Sequence, residues 1–200
     1  MKYNREDELR SRLNKFLVSS FDLPESDYYS AMSTQNFVSL KSALSDINNI
    51  LTLKITLGFC RWLANHYSLD KSHAEQLESM ALAAKPNANG YDVWLGYPVA
   101  FVGEVKCNIP INGSSVYGSA QRAGIEKDIS GLINGKRKAP MTTESVSKYI
   151  AFLDVPEVRA ANEHLVKVSR VCREYLLFAG NEADLKRTDV VHGIYISIDA

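Results

Sequence analysis

Residues 90–108 read GYDVWLGYPVAFVGEVKCN. Two short runs rich in β-branched and aromatic residues, 91–95 and 99–107, flank a glycine and a proline, which is the pattern of a β-hairpin. The second run carries Glu104 and Lys106 between apolar neighbours. Charged groups in an apolar strand cost free energy unless a partner or a function requires them. The hairpin therefore predicts the centre of the fold and also the candidate site.

Helix and strand patterns alternate after the hairpin. Residues 117–134 have the pattern of a helix that ends at Gly135, and they are followed by a predicted strand at 148–155, a long helix at 156–179 and a last strand at 190–199. Strand–helix–strand units favour a partly parallel sheet covered by helices. The sequence therefore predicts an α/β fold, with a mixed sheet flanked by helices.

The N-terminal part of the chain has a different pattern. Apolar residues recur at helical spacing in 6–21, 34–50 and 51–67, whereas strand patterns begin only later. This change predicts a helical N-terminal region at 1–70, packed on an α/β core at 71–200.

Charge and length exclude some classes of protein. The 200 residues suit one domain, and 23 basic residues balance 23 acidic residues, so the formal net charge is zero. A protein coated in positive charge, as histone-like DNA binders are, is therefore not expected, although a local basic cleft remains compatible with this balance.

Cysteine usage and hydropathy predict the cellular setting. The three cysteines are far apart and lack the spacing of a zinc site or a disulfide framework. The N-terminus is charged, and no apolar run approaches the length that spans a membrane. These features predict a soluble cytoplasmic protein without a membrane partner.

The hairpin geometry brings an aspartate to the two charged residues of the second strand. A three-residue loop at Gly96–Pro98 would pair Asp92 with Val102 and make Asp92 the diagonal neighbour of Glu104. Residues two apart on a strand share a face, so Lys106 lies on this face as well. A two-residue loop would send Asp92 to the opposite face.

Two carboxylates and one ammonium on a common face suit metal-assisted cleavage of a phosphodiester. Mg²⁺ prefers hard oxygen ligands, and it binds through few carboxylates together with water and substrate phosphate. Asp92 and Glu104 supply carboxylates, and the backbone carbonyl of Val105 between the charged residues is a further candidate ligand. Lys106 would stabilise the charge that develops on the phosphate.

These residues resemble the motif of a known nuclease superfamily. Asp92, eleven intervening residues and then Glu104-Val105-Lys106 resemble the PD-(D/E)xK nucleases, which have the restriction-endonuclease-like fold. The resemblance covers about residues 72–154. It departs from the family at Tyr91, where the motif has proline, and it shows no strand between the helix pattern at 72–84 and the hairpin.

The resemblance implies a function. Asp92, Glu104 and Lys106 would be catalytic, with Asp92, Glu104 and the Val105 carbonyl as ligands of Mg²⁺, for which Mn²⁺ can substitute. The chain would be a DNA endonuclease of the type II restriction or phage-defence kind, working as a homodimer with one active site per strand. The target sequence, and DNA rather than RNA as substrate, stay open.

Other readings and other residues remain candidates. A structure-specific nuclease of the junction-resolvase type, a catalytically silent nucleic-acid-binding module on the same fold, and a helical interaction protein are the alternatives. Glu78 and Gln121 are candidates to join the site, although a surface glutamate and a capping amide are equally ordinary roles. The basic segment GKRKA at 135–139 is a candidate contact for phosphates.

Overall fold

A computed structural model of the chain describes residues 3–84, 90–110, 115–137, 139, 141–178, 185 and 187–198. The helices are α1 (Arg5–Phe21), α2 (Tyr28–Ala31), α3 (Thr34–His66), α4 (Lys71–Ala83), α5 (Ser119–Asn134), α6 (Pro156–Val168) and α7 (Arg170–Tyr175). The strands are β1 (Val93–Leu95), β2 (Phe101–Lys106), β3 (Ser147–Leu153), β4 (Leu176–Phe178) and β5 (Val191–Ile196). Within these described ranges, no helix has the length and apolarity needed to cross a membrane.

The five described strands form one mixed sheet in the order β1-β2-β3-β5-β4. β1 is antiparallel to β2, whereas the other neighbouring pairs are parallel. Helix α5 connects β2 to β3, and α6 and α7 follow β3 along the chain. A mixed sheet flanked by helices confirms the predicted α/β class.

Apolar side chains cover both faces of the sheet, and their alternation along β2 places the charged residues. Phe101 and Val105 pack with residues of α3 and α4 on one face. Val102 packs with residues of α5 and α6 on the other face. Because successive strand residues point to opposite faces, Glu104 and Lys106 share the face of Val102. The charged residues therefore lie on the side covered by α5.

A close contact fixes α3 against the strand that carries Glu104. A Cβ at Gly103 would lie 2.6 Å from Cε1 of Phe59, which belongs to α3 and is fully buried. The Phe59 ring also packs against Tyr149 of β3, with ring centroids 6.1 Å apart. A side chain at position 103 would force α3 away from the sheet, so glycine is required at the centre of β2.

Contacts divide the chain into two compact units, Met1–Ile47 and Asn48–Ala200. The second unit contains the whole sheet and the candidate site, and the last turns of α3 add Ile55, Phe59 and Leu63 to its core. The division falls inside α3, whereas the predicted boundary at residue 70 follows the change from helix to strand patterns.

Helix α3 is one continuous helix where the sequence patterns predicted two, at 34–50 and 51–67. No glycine or proline occurs from Thr34 until Gly58, so nothing in the backbone chemistry interrupts the helix at residue 50. The prediction of two separate helices was wrong.

The predicted long helix at 156–179 was also wrong. The helix stops at Val168, and the Ser169 side chain accepts a hydrogen bond from the backbone N–H of Cys172 at 3.2 Å, which starts the short helix α7. Residues Leu176–Phe178 then pair with β5 as a parallel edge strand. Ser169 caps the new helix α7, and this competes with continuation of α6. The apolar residues at the end of the segment form a strand of the sheet instead of a helix.

Candidate active site

The hairpin register differs from the predicted one by two residues. Trp94, not Asp92, pairs with Val102, and the pairing continues through Val93 with Gly103. Five residues at 96–100 therefore separate the two strands, instead of three. Pro98 has no N–H to donate to a ladder, which accounts for pairing that begins only beyond it. A shift of two residues keeps the side chains of the paired residues on their predicted faces, whereas Asp92 lies just outside the paired residues of β1.

Asp92 lies just before β1, at the position in line with Glu104 of β2. Its Oδ2 accepts a hydrogen bond of 2.8 Å from the backbone N–H of Val105. The N–H and C=O of one strand residue point to the same edge, so the Val105 carbonyl is directed to the edge where Asp92 lies. Asp92 is thus held against the backbone of Val105, the residue that follows Glu104.

Glu104 is buried, with 4% of its surface exposed, and it forms an ion pair with Lys136. The Oε1 to Nζ distance is 2.5 Å, and the same ammonium donates to the carbonyl of Gly90 at 2.8 Å. Burial, together with the negative charge of Asp92, raises the pKa of Glu104 to about 8 although Lys136 acts in the opposite direction. Asp92 keeps an exposed surface, through which water screens its charge.

Lys106 forms a second ion pair, with Asp128 of α5. Both side chains are largely buried, with 19% and 16% of their surfaces exposed. Burial is the main cause that raises the pKa of both Asp92 and Glu104, and the charge of the Asp128 carboxylate adds to it in the same direction. The site therefore contains three carboxylates and two ammonium groups.

Asp128 and Lys136 are the residues that sequence reasoning missed as members of the site. Asp128 lies between Ile125 and Ile129 on the helix, both fully buried, and an acid flanked by core positions was the available signal. Lys136 belongs to the basic segment GKRKA, but nothing in its spacing links it to Glu104. Gly135 ends α5 with a positive φ of 85°, a conformation that glycine adopts readily and that places Lys136 just beyond the helix end.

Two further candidates lie outside this cluster of charges. Glu78 of α4 forms an ion pair of 3.0 Å with Arg61, the ordinary role of a surface glutamate. Gln121 caps its own helix: its Oε1 accepts from the N–H of Gly118 at 3.0 Å, and its Nε2 donates to the carbonyl of Ile109 at 2.9 Å. Neither side chain faces the acids.

The residues of the basic segment at 135–139 have different surroundings. Lys136 forms an ion pair with Glu104, and Arg137 is exposed at the turn after the helix. Lys138 lies outside the described residues. The predicted phosphate contact of this segment stays a prediction for Arg137 and Lys138.

The oxygen ligands present fit a hard divalent cation. Among the residues described, no group of three or more His, Cys, Asp or Glu side chains is already arranged around one metal position. Mg²⁺ does not require such a cage, since one or two carboxylates with water and substrate phosphate are enough. Asp92 and Glu104, with the Val105 carbonyl at the same edge, supply such a set. The ammonium of Lys136 already lies at this position, where it donates to a carboxylate and a carbonyl.

Comparisons with known proteins identify no relative, since no protein-family model, no curated protein and no solved structure matches the chain.

We expect Glu104→Gln to raise the melting temperature of the metal-free protein, by an amount that grows as pH rises from 4.5 to about 8. The raised pKa means that the native state holds a proton which the unfolded chain has already lost in this window. The stability linked to Glu104 is therefore complete below pH 4.5 and is lost as pH approaches 8. Glutamine carries no charge at any pH, and its oxygen still accepts from Lys136.

The measurement is thermal unfolding of the wild type and Glu104→Gln in the presence of a chelator across this pH range. The difference between their melting temperatures is compared at each pH. Glu78→Gln is the matched control, and its difference from wild type is expected to be flat. A Glu104→Gln difference that is independent of pH, or largest in acid, would contradict the electrostatic description of the site.

Proposed function

We propose that this chain is a Mg²⁺-dependent endonuclease that hydrolyses DNA phosphodiester bonds on a restriction-endonuclease-like fold. The observation that carries the proposal is the convergence of Asp92 and Glu104, with Lys106 beside them, at the end of a β-hairpin that continues into α5 and a parallel strand. This is the arrangement that the motif Asp92…Glu104-Val105-Lys106 implies.

Each residue has a distinct role in the proposed reaction. Asp92, Glu104 and the Val105 carbonyl would hold the ion, which supplies Lewis-acid activation of the phosphate and of a bound water. A water oxygen would form a bond to phosphorus while its proton passes to solvent, and the bond from phosphorus to the leaving oxygen would break, with the leaving oxygen taking a proton from solvent. The Lys106 ammonium stabilises the charge that accumulates on the non-bridging oxygens. Asp128 orients Lys106 through their ion pair.

The wider setting follows from the same resemblance. We propose double-stranded DNA as substrate, a homodimer that presents one site to each strand, and a role in restriction or phage defence within the cytoplasm. Neutral net charge is compatible with this, because phosphate contacts need only a local basic surface.

A second candidate function has an observation in its favour. Both lysines of the site are paired with acids, Lys136 with Glu104 and Lys106 with Asp128. Such mutual neutralisation also suits a nucleic-acid-binding module of the same fold without catalysis. An intact set of Asp92, Glu104 and Lys106 favours the enzyme, because a silent module does not require all three.

The dependence on metal ions separates the two functions. We expect cleavage of DNA with Mg²⁺ or Mn²⁺, no cleavage with chelator, and binding with little cleavage in Ca²⁺, which prefers larger and looser oxygen shells. The measurement is the rate of product formation with each ion at one fixed ionic strength, beside DNA binding in the same buffers. DNA binding that is strong and equal in all buffers, without cleavage in any, would favour the silent module.

A further inference from the structure

Lys136 occupies the place in the site where a cation is most strongly favoured. Its Nζ donates to Oε1 of Glu104 at 2.5 Å and to the carbonyl of Gly90 at 2.8 Å. Desolvation raises the pKa of Asp92, and the charge of Lys136 offsets part of that rise. One ammonium thus serves as the counter-ion for both acids, which we call the acid pair.

The position of Lys136 is supported along its whole side chain. A Cβ at Gly131 would lie 3.3 Å from Cε of Lys136, so the lysine stem runs over a helix position that has no side chain. The ammonium lies 5.6 Å from the ring centroid of Tyr91, within the range of a cation–π contact. Only 25% of the Lys136 side chain is exposed. These contacts hold the ammonium against the acid pair and not in solvent.

The acid pair cannot hold two cations on the same oxygens. Without a cation, Glu104 and Asp92 repel each other in a partly desolvated site, which is costly. A divalent ion carries twice the charge of the ammonium, and it would compete with Lys136 if it took Oε1 of Glu104 as a ligand. An ion on the other carboxylate oxygen would instead place a second positive charge close to the ammonium, so either mode of binding weakens the ion pair of Lys136.

We propose that Lys136 is an intramolecular counter-ion that occupies the acid pair in the metal-free protein and is displaced when a divalent cation binds. The inference rests on the proposed function for its metal site, but it concerns loading of that site and not cleavage. Lys136 would be a positioning residue: it holds the Glu104 carboxylate in place beside Asp92 until the ion arrives, and it sets the ion concentration that loading requires.

The first test measures whether metal binding releases the Lys136 amine in the wild-type protein. The protein is treated with an amine-acetylating reagent in Mn²⁺ or in a Na⁺ buffer of equal ionic strength, without DNA, and each lysine is quantified by mass spectrometry. We expect acetylation of Lys136 to rise in Mn²⁺. Two internal controls should not change: Lys127, which is exposed on α5, and Lys148, which is buried and donates to the carbonyls of Val146 and Thr188.

The second test measures Mn²⁺ affinity directly, by the electron paramagnetic resonance signal of free Mn²⁺. Lys136→Met keeps the apolar part of the side chain and removes the competing charge. We expect its Kd for Mn²⁺ to fall by at least about tenfold, which is the usual effect of one charge within contact distance. Lys127→Met removes the same charge from the exposed face of α5, and this variant should bind Mn²⁺ as wild type does.

The outcomes distinguish this inference from the proposed function. Saturating Mn²⁺ binding with no change in Lys136 acetylation would overturn the inference alone. Absence of Mn²⁺ binding in both the wild type and Lys136→Met would overturn the inference and the metal site together. Release of Lys136 by Mn²⁺ in a protein that cleaves no DNA would support the inference and count against the nuclease.

Discussion

Glu104→Gln is expected to lower the rate of DNA cleavage by more than about a hundredfold, because even groups that only support a metal ligand cost 10–100-fold when they are removed. Glutamine keeps the shape of the side chain and its hydrogen bond with Lys136. It removes the negative charge that would balance the ion. We therefore expect Glu104→Gln to slow the cleavage step and to weaken metal binding, while the fold stays unchanged.

The measurement is the single-turnover cleavage rate at saturating Mg²⁺, with the melting temperature of each protein as a check on folding. Glu78→Gln is the matched control, since Glu78 is a helix glutamate paired with Arg61 and placed away from the acid pair. A wild-type cleavage rate in Glu104→Gln would remove this residue from the active site.

Lys106→Ala is expected to reduce the cleavage rate by about two to three decades while DNA affinity changes far less. The lysine would act on charge that exists only in the transition state, whereas phosphate contacts that position DNA are spread over the surface. Loss of the lysine also leaves Asp128 as an unpaired acid in a largely buried position. The melting temperature of Lys106→Ala must therefore be measured in parallel.

Two variants sharpen this experiment. Asp128→Asn leaves Lys106 in place but removes its orienting partner, so the rate should fall by less than in Lys106→Ala. Lys127→Ala removes an exposed positive charge from the same helix and should leave the rate unaltered. Equal losses of rate and of DNA affinity in Lys106→Ala, at one fixed salt concentration, would identify the lysine as a residue that docks DNA.

The alternation of residues along the hairpin could be predicted from sequence with more certainty than the pairing itself. The predicted register was wrong by two residues, yet Asp92 still contacts the backbone of Val105, next to Glu104. The sheet face on which a paired side chain lies depends only on whether the register shift is an odd or an even number of residues. The distance of Asp92 from Glu104 along the strands depends on the loop, and Pro98 lengthens that loop in a way that the strand pattern does not reveal.

The ion pairs of the site could not be predicted, because they join segments that are distant in sequence. Lys136 and Glu104 are brought together by the end of α5, and Asp128 meets Lys106 only when α5 packs on β2. The sequence shows that Asp128 lies among core positions, but not which cation it meets. The end of the helix before Ser169 also depends on a distant segment. Residues 176–178 have a helical pattern in the sequence, but they pair with β5 as a strand.

In the proposed reaction, Asp92 and Glu104 hold the ion that drives DNA hydrolysis. The most direct measurement compares wild-type protein and the double variant Asp92→Asn/Glu104→Gln, purified side by side, on duplex, branched and single-stranded DNA with Mg²⁺. We expect the wild type to cleave at least one substrate and the double variant to cleave none, while both bind DNA. Cleavage at equal rates by the two proteins, or by neither, would contradict the claim.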